Sequence, residues 1–345
     1  MRKSGDRMEK KNYTRRVKLL YVLDFLKAYS DEEHPVTAAK IMDFLKERSI
    51  ESGRKAIYDD INALCAYGLD VSRAYAAKDG FFLAEREFEV AEIRLLLDAV
   101  ASAPFITEKK TRELSKKLLA FLSVHQSNEV APQLHIDTRL KFKNEQIYYI
   151  IDAVNRAIAQ NKKIAFTYCH YKIEDNQAVL KKDRDFVISP YALVWANDRY
   201  YLVGNYEKYD NLSNYRLDRM KMAQITQESA RPHSQVSGYT GVFDTADYVR
   251  KNIMMYPGAQ CELELLCKNS VLEIMLDRFG SGCEVMNKGK ERFLLRTSVY
   301  ISDGLADWLL PLCDRIHVCA PHKLQAMLEQ KLAAIAKTPQ EKGLL

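Results

Sequence analysis

The chain has no run of the roughly 20 apolar residues that a membrane-crossing helix requires, so no membrane partner is expected. Its 345 residues hold only 13 glycines and 9 prolines, with no internal repeat and no low-complexity stretch. Seven cysteines, at positions 65, 169, 261, 267, 283, 313 and 319, make an odd number without a CxxC spacing. That pattern argues against a zinc ribbon or a thioredoxin-type site and favours reduced thiols packed as small hydrophobes. There is no Walker loop, no HExxH, no GxSxG and no dinucleotide-binding glycine pattern. No catalytic residue, metal ligand or cofactor is therefore assigned. The N-terminal MRKSGDRMEKKNYTRR is basic but is not followed by the apolar core of a signal peptide. A cytoplasmic location is expected.

What is present is an ordinary globular balance, 47% apolar and 28% charged, in a length that fits two or three domains. The net charge of +6 is unevenly spread. Residues 1–20 carry eight basic and two acidic side chains, residues 21–88 sum to about −4, and residues 139–231 sum to about +5. Positive charge in the N-terminal arm and in the middle of the chain points to polyanionic partners at both places.

Apolar residues at Val17, Leu19, Leu20, Leu23, Phe25 and Leu26 recur at helical spacing and predict a first helix from about Tyr13 to Tyr29. Thr37 is a candidate cap for a second helix with Ile41, Phe44 and Leu45 inward. Ser52 is a candidate cap for a third helix, Gly53–Tyr67, with Ile57, Ile61 and Leu64 inward and Gly68 as its stop. The Lys78-Asp79-Gly80 turn before Phe81-Phe82-Leu83 predicts a hairpin. Three helices followed by a hairpin trace a helix-turn-helix with a wing. The stretch Ser52-Gly53-Arg54-Lys55-Ala56-Ile57-Tyr58-Asp59-Asp60-Ile61 resembles the recognition helix of DeoR-like winged-helix regulators, with Asp59 where those often carry Arg. The expected DNA-binding residues are Ser52, Arg54, Lys55 and Tyr58 on the helix and Arg73 and Lys78 on the wing. Arg and Lys at a helix N-terminus read guanine or hold phosphate. Asp59, Asp60 and the net acidity of residues 21–88 oppose this reading.

Helices are next predicted at Val90–Ala103 and Thr107–Ser123, broken by Pro104, with Leu114, Leu118, Leu119 and Leu122 as the stripe of the second. Residues 124–143 read as a polar connector, and a helix from Glu145 to Gln160 leads to a strand, Ile164–Tyr171. Tyr191–Trp195 and Arg199–Val203, separated by Ala196-Asn197-Asp198, predict a second hairpin. Alternation along a strand puts Tyr200 and Leu202 on one face and Arg199, Tyr201 and Val203 on the other. A third run, Tyr215–Leu217, brings Arg216 and Arg219.

The tripeptide Tyr200-Tyr201-Leu202, with Ala165-Phe166-Thr167-Tyr168 before it, Ser189-Pro190-Tyr191 beside it and Tyr215-Arg216-Leu217-Asp218-Arg219-Met220 after it, resembles a WYL domain; Tyr200 stands where the family name has Trp. The resemblance implies an Sm-like β-barrel that senses an effector within a transcriptional regulator. It singles out Tyr201, Arg216 and Arg219. Tyr168, His170, Ser189 and Tyr191 join them as expected effector-binding residues, because paired aromatics and guanidiniums stack bases and clamp phosphates. The opposing view makes the tyrosines packing residues and pairs the arginines with Asp185, Asp198 or Asp218.

The polar stretch Gln227–Thr240 reads as a linker and Lys181–Arg184 as a hairpin tip. Beyond them the predicted order is strand Cys261–Cys267, helix Ser270–Phe279, strands Glu284–Met286 and Arg292–Tyr300, helix Gly304–Leu310, strand Arg315–Ala320 and helix Pro321–Ala336. This resembles the C-terminal extension that accompanies WYL domains. His317, Cys319 and His322 supply too few ligands for a metal. Cys169 and His170 point to opposite faces of their strand and cannot act as nucleophile and base.

The sequence thus predicts an α+β multidomain chain. A winged helix-turn-helix occupies residues 13–86, a helical linker 87–143, an Sm-like WYL barrel 144–231 and a C-terminal α/β sandwich 244–336. The expected function is transcription regulation by a homodimer that binds a double-stranded DNA operator. Its effector is expected to be a single-stranded nucleic acid or a nucleotide. A nucleic-acid-binding accessory factor and a nucleotide-processing enzyme are the alternatives.

Overall fold

A computed structural model describes residues 17–74, 80–134, 141, 146–280 and 282–337. Contacts divide the chain into two compact units between Lys143 and Asn144.

In the first unit, helix α1 spans residues 17–29. Helix α2 (Ala38–Glu47) starts at Thr37, whose Oγ1 accepts from the Lys40 amide at 3.3 Å, as its sequence position implies. Helix α3 (Arg54–Tyr67) starts one residue later than expected, with Gly53 as N-cap and no side-chain cap bond. Ser52 therefore stands one place before the cap, its Oγ buried without a partner. The apolar stripes of the three helices converge on one core that includes Leu26, Ile41, Leu45, Ile57 and Ile61. Gly68 ends α3 in the left-handed region at φ 108, a conformation that glycine adopts without a Cβ clash.

Strands β1 (Val71–Ala74) and β2 (Gly80–Leu83) pair antiparallel, and Phe81 of β2 also bridges Val36 just before α2. That bridge brings Gly80 so close that a Cβ there would lie 2.8 Å from the Val36 carbonyl oxygen. The Lys78-Asp79 part of the expected turn lies outside the described residues.

Helices α4 (Val90–Ser102) and α5 (Glu108–Leu119) agree with the sequence reading, but a further helix, α6 (Val124–Val130), fills part of the expected connector. Its start was written in the sequence as Ser123 and Gln126, which form a capping box. The buried face of α5 is Thr111 and Ser115, whereas Leu114, Leu118 and Leu119 are only half-buried. A polar clasp joins the end of α1 to the α5–α6 turn. Arg86 donates to the carbonyls of Lys27 (2.9 Å), Ser30 (2.5 Å) and Phe121 (3.1 Å), and Ser123 Oγ donates to buried Asp31 at 2.5 Å.

The second unit opens with α7 (Ile147–Ala159), whose buried face includes Ile150, Ala153, Val154 and Ala157. Strands β3 (Lys162–Glu174), β4 (Gln177–Ala196), β5 (Arg199–Asn205), β6 (Ser213–Arg216) and β7 (Met220–Ser229) form one antiparallel sheet in the order β6-β5-β4-β3-β7. The expected barrel is not closed. No β6–β7 pairing occurs among the described residues, although the three-residue turn Leu217–Arg219 links these two edge strands directly. Strand β4 is long enough to pair with β3 along its first part and with β5 along its second.

Both hairpins turn on two residues with positive φ, Asp175-Asn176 and Asn197-Asp198, as the tight turns that suit twisted strands require. Lys181–Arg184 lies in the arm of β4 rather than at the tip. The stretch read as a linker begins inside β7, and the chain has no unit boundary there. After α8 (Thr245–Lys251) come β8 (Ala259–Lys268), α9 (Leu272–Phe279), β9 (Glu284–Asn287), β10 (Arg292–Ile301), α10 (Asp303–Leu309), β11 (Ile316–Ala320) and α11 (His322–Lys337). The four strands form an antiparallel sheet in the order β11-β8-β10-β9 over a core that includes Leu263, Leu265, Met275, Phe279 and Leu295. All seven cysteines are free.

Candidate functional site

On α3, periodicity that buries Ile57, Ile61 and Leu64 turns Arg54 and Lys55 outward, and both are exposed. Neither makes an ion pair among the described residues. Arg54 Nη2 donates to Tyr58 Oη at 3.4 Å. Tyr58 is braced from the other side: its ring meets Phe81 of β2 edge-on at 5.3 Å, and the Arg73 guanidinium of β1 lies 5.8 Å from its centre. Four of the six expected DNA contacts (Arg54, Lys55, Tyr58 and Arg73) are thus assembled around one helix end and one hairpin. Ser52 is half-buried beside them, and Lys78 lies outside the described residues.

Asp60, which the sequence set against a polyanion surface, is turned inward onto α1. Its Oδ2 lies 2.7 Å from Lys18 Nζ, and Lys18 also reaches the Ala56 carbonyl at 3.5 Å. Burial holds the Asp60 carboxyl above its ordinary range, with Lys18 acting against that shift. Asp59 remains exposed on the helix.

On the five-stranded sheet, Phe166, Tyr168, Phe186 and Tyr215 pack as a ring cluster with centroids 5.1–6.3 Å apart, mostly edge-to-face. Tyr168 is 8% exposed, and its Oη accepts from the Arg216 amide at 3.1 Å. Burial raises the pKa of that phenol and pushes Tyr215 up to about 12. At the cluster rim His170 meets the Tyr168 ring edge-on at 5.3 Å, and Arg219 Nη1 lies 3.5 Å from His170 Nδ1.

Arg219 makes no ion pair among the described residues, and its Nε is buried without a partner. Arg216 is held differently. Its guanidinium grips Asp218 two-pronged, Nε to Oδ1 at 3.0 Å and Nη2 to Oδ2 at 2.7 Å. Burial lowers the Arg216 pKa, but the bond to Asp218 outweighs it and the net shift is upward. Tyr201 sits directly across from Arg216 on β5, shares a face with Val203 as alternation requires, and is 8% exposed.

The structure therefore gathers Tyr168, His170, Tyr201, Arg216 and Arg219 around the β5–β6 edge and the turn after it. Ser189 and Tyr191 go elsewhere. Both bind the backbone of Arg231, Ser189 Oγ accepting from its amide at 2.9 Å and Tyr191 Oη donating to its carbonyl at 2.8 Å. The register shift between Pro190 and Ala192 marks a bulge that carries Tyr191 toward the segment after β7. Sequence spacing alone gave no sign of that bulge. Of the three carboxylates that the sequence offered as arginine partners, Asp218 is the one that holds Arg216; sequence reasoning missed Asp183, whose Oδ2 lies 3.8 Å from His170 Nε2.

No helix of the described residues is long and apolar enough to cross a membrane, and no cluster of His, Cys, Asp and Glu among them could hold a metal ion. No curated protein matches the chain. Among solved structures, it is similar to proteasome accessory factor B/C (PafBC) of Arthrobacter aurescens, at 16% identity and TM-score 0.29 over 93% of this chain and 48% of that one. The chain thus spans about half the length of that protein. It is also similar to a CRISPR Cas-related protein, at 12% identity and TM-score 0.36 over 95% of this chain and 86% of that one. The family profile of the WYL domain matches residues 149–225, from α7 through β7. This chain contains a WYL domain at residues 149–225.

Proposed function

We propose that the chain is a DNA-binding transcriptional regulator, not an enzyme, in which the helices and hairpin of the first unit act as a winged helix-turn-helix. The WYL sheet then serves as the sensor of an anionic effector, a short single-stranded nucleic acid or a nucleotide. The observation that carries this reading is the outward face of α3: Arg54 and Lys55 are exposed with no ion pair among the described residues, while Asp60 is neutralised from within by Lys18. Cations released from carboxylates at a helix N-terminus suit phosphate and guanine contacts. On the sheet, Arg219 offers a guanidinium beside aromatic edges, the chemistry that holds a phosphate next to a stacked base. A homodimer would present two such helices to half-sites about one helical turn apart. The C-terminal sheet would pair subunits or relay the sensor's state. An effector shifts operator binding only if it favours one arrangement of the two heads.

Footprinting of the purified protein on native genomic DNA, with and without added oligonucleotides, tests this. Saturable, sequence-selective protection that the oligonucleotides alter is the expected result. Uniform coverage without preferred sites would sink the regulator reading.

A further inference from the structure

A cleft of about 590 Å³ opens in the second unit where the β5–β6 loop, the segment after β7, helix α8 and strands β8 and β10 meet. Its size lies within the range of small-molecule sites, roughly 300–1,000 Å³. It is separate from the Tyr168–Arg219 cluster, and none of those residues lines it.

The walls combine flat apolar surface with neutral hydrogen-bonding groups. Leu212, Val236 and Pro257 supply the first, and the rings of Tyr248 and Tyr300, 5.6 Å apart, add to it. Gln235, Gln260 and Asn252 supply side-chain amides. Asn252 is 2% exposed; its Nδ2 donates to Tyr248 Oη at 3.0 Å while its Oδ1 has no partner. Tyr248 Oη in turn donates to Asn214 Oδ1 at 2.9 Å. Buried polar atoms are nearly always satisfied, so this unpartnered acceptor behind the Tyr248 hydroxyl calls for a partner that the described residues do not supply. Burial raises the pKa of both the Tyr248 and the Tyr300 phenol, so neither supplies charge near neutral pH.

Charge decides the ligand class. No Lys or Arg lines the cleft, and its one carboxylate, Asp210, is already paired with Arg231 at 2.8 Å. The Arg231 guanidinium behind the wall is held by Asp210 and Gln235, so an anion would have to displace Asp210 to reach it and a cation would have to displace Arg231. Gln235 Oε1 accepts from Arg231 Nε at 3.2 Å and Gln260 Nε2 donates to Ser298 Oγ at 3.0 Å. Gln235 Nε2 and Gln260 Oε1 are therefore the donor and acceptor turned to a ligand, a pairing that matches the edge of a nucleobase, and apolar walls accept its faces. We infer that this cleft is a second ligand site that takes an uncharged nucleoside or free nucleobase. The site joins the WYL sheet to the C-terminal sheet, so occupancy would fix the segment between them. The inference stands whether or not the operator reading holds.

Calorimetric titration of the full chain with adenosine, guanosine, cytidine and uridine, and with AMP as an anionic control, tests it. At least one nucleoside should bind saturably, and its 5′-phosphate should bind more weakly. Gly238 lines the cleft, and a Cβ there would meet nothing nearer than Gln260 Oε1 at 3.9 Å, so Gly238→Leu plugs the space without crowding the fold. That variant and Gln260→Ala should each weaken binding by about tenfold or more. Thermal melting of both variants should match the parent chain. Binding to none of the four nucleosides, tighter binding of AMP than adenosine, or affinity indifferent to both substitutions would overturn the assignment.

Discussion

On α3, Arg54 and Lys55 are exposed, Arg54 donating to Tyr58 and neither making an ion pair among the described residues; on the five-stranded sheet, Arg216 is clamped by Asp218 and half-enclosed by tyrosines. Both regions set arginine beside aromatic rings, yet one holds its positive charge open and the other holds most of it in reserve. An open cation binds any polyanion with strong salt dependence. A clamped one binds only a ligand that replaces the carboxylate's two hydrogen bonds, which raises selectivity at the expense of affinity. Arg219 has no carboxylate partner among the described residues, so in the proposed sensor it is the cation that a ligand would engage first.

The largest expected effect separates the two regions by stability. Phe166, 3% exposed within the ring cluster, should cost about 3–5 kcal/mol when replaced by Ala. Tyr58→Phe on α3 should cost less than about 0.5 kcal/mol, since it removes only a 3.4 Å contact at the surface. Denaturant titration of the two variants gives the contrast. Equal losses would show that the sheet cluster is no more pre-built than the helix face.

Next in size, Arg54→Ala with Lys55→Ala should weaken duplex binding about a hundredfold and lower the salt slope by about one for each phosphate contact removed. Anisotropy titrations at several salt concentrations measure both. An unchanged slope would mean that the open cations on α3 face no phosphate.

A smaller effect is written in pH. Burial pushes the Asp31 carboxyl up, but hydrogen bonds from Ser123 and His34 outweigh it and hold the pKa below the ordinary 3.8. The stability Asp31 lends is therefore complete above that value and fades as pH falls through the lower folded value. Asp60 has the opposite sign: its pKa is raised, so its contribution worsens as pH climbs from 3.8 through the folded value. Ser123→Ala should cost about 1–2 kcal/mol at neutral pH and move acid unfolding to higher pH. Asp60→Asn should flatten the other limb. Circular dichroism across an acid titration follows both, and an unmoved acid midpoint in Ser123→Ala would dismiss the clasp.

The smallest is the most direct probe of the reserve. Asp218→Asn frees Arg216 of its counter-charge while keeping the side chain's shape, and should raise oligonucleotide affinity at the sheet by about two- to fivefold. A loss of affinity would mean that Asp218 positions Arg216 for the ligand instead of withholding it.

Local signals carried much of this architecture. Thr37 capped its helix, Gly68 stopped another, and apolar spacing picked out Ile57, Ile61 and Leu64 as core. Alternation put Tyr201 and Val203 on one face, against one cluster. What sequence left hidden were relations between distant segments. Lys18 and Asp60 neutralise one another across two helices, Asp31 finds Ser123 across 92 positions, and the bulge at Tyr191 carries that residue away from the site where it was expected. Sheet closure belongs with these, because pairing between the edge strands β6 and β7 depends on how the whole sheet curls, which strand propensity does not encode.

Strand β4 serves two partners along one backbone, β3 as far as Ile188 and β5 from Ser189 onward. Side chains alternate along it with a period of two. Deleting Val194, beyond the bulge, would leave the β3 half untouched while turning Trp195 toward the apolar cluster that Val194 now fills. A change of length beyond the bulge should therefore cost this strand far more than a substitution at the same place.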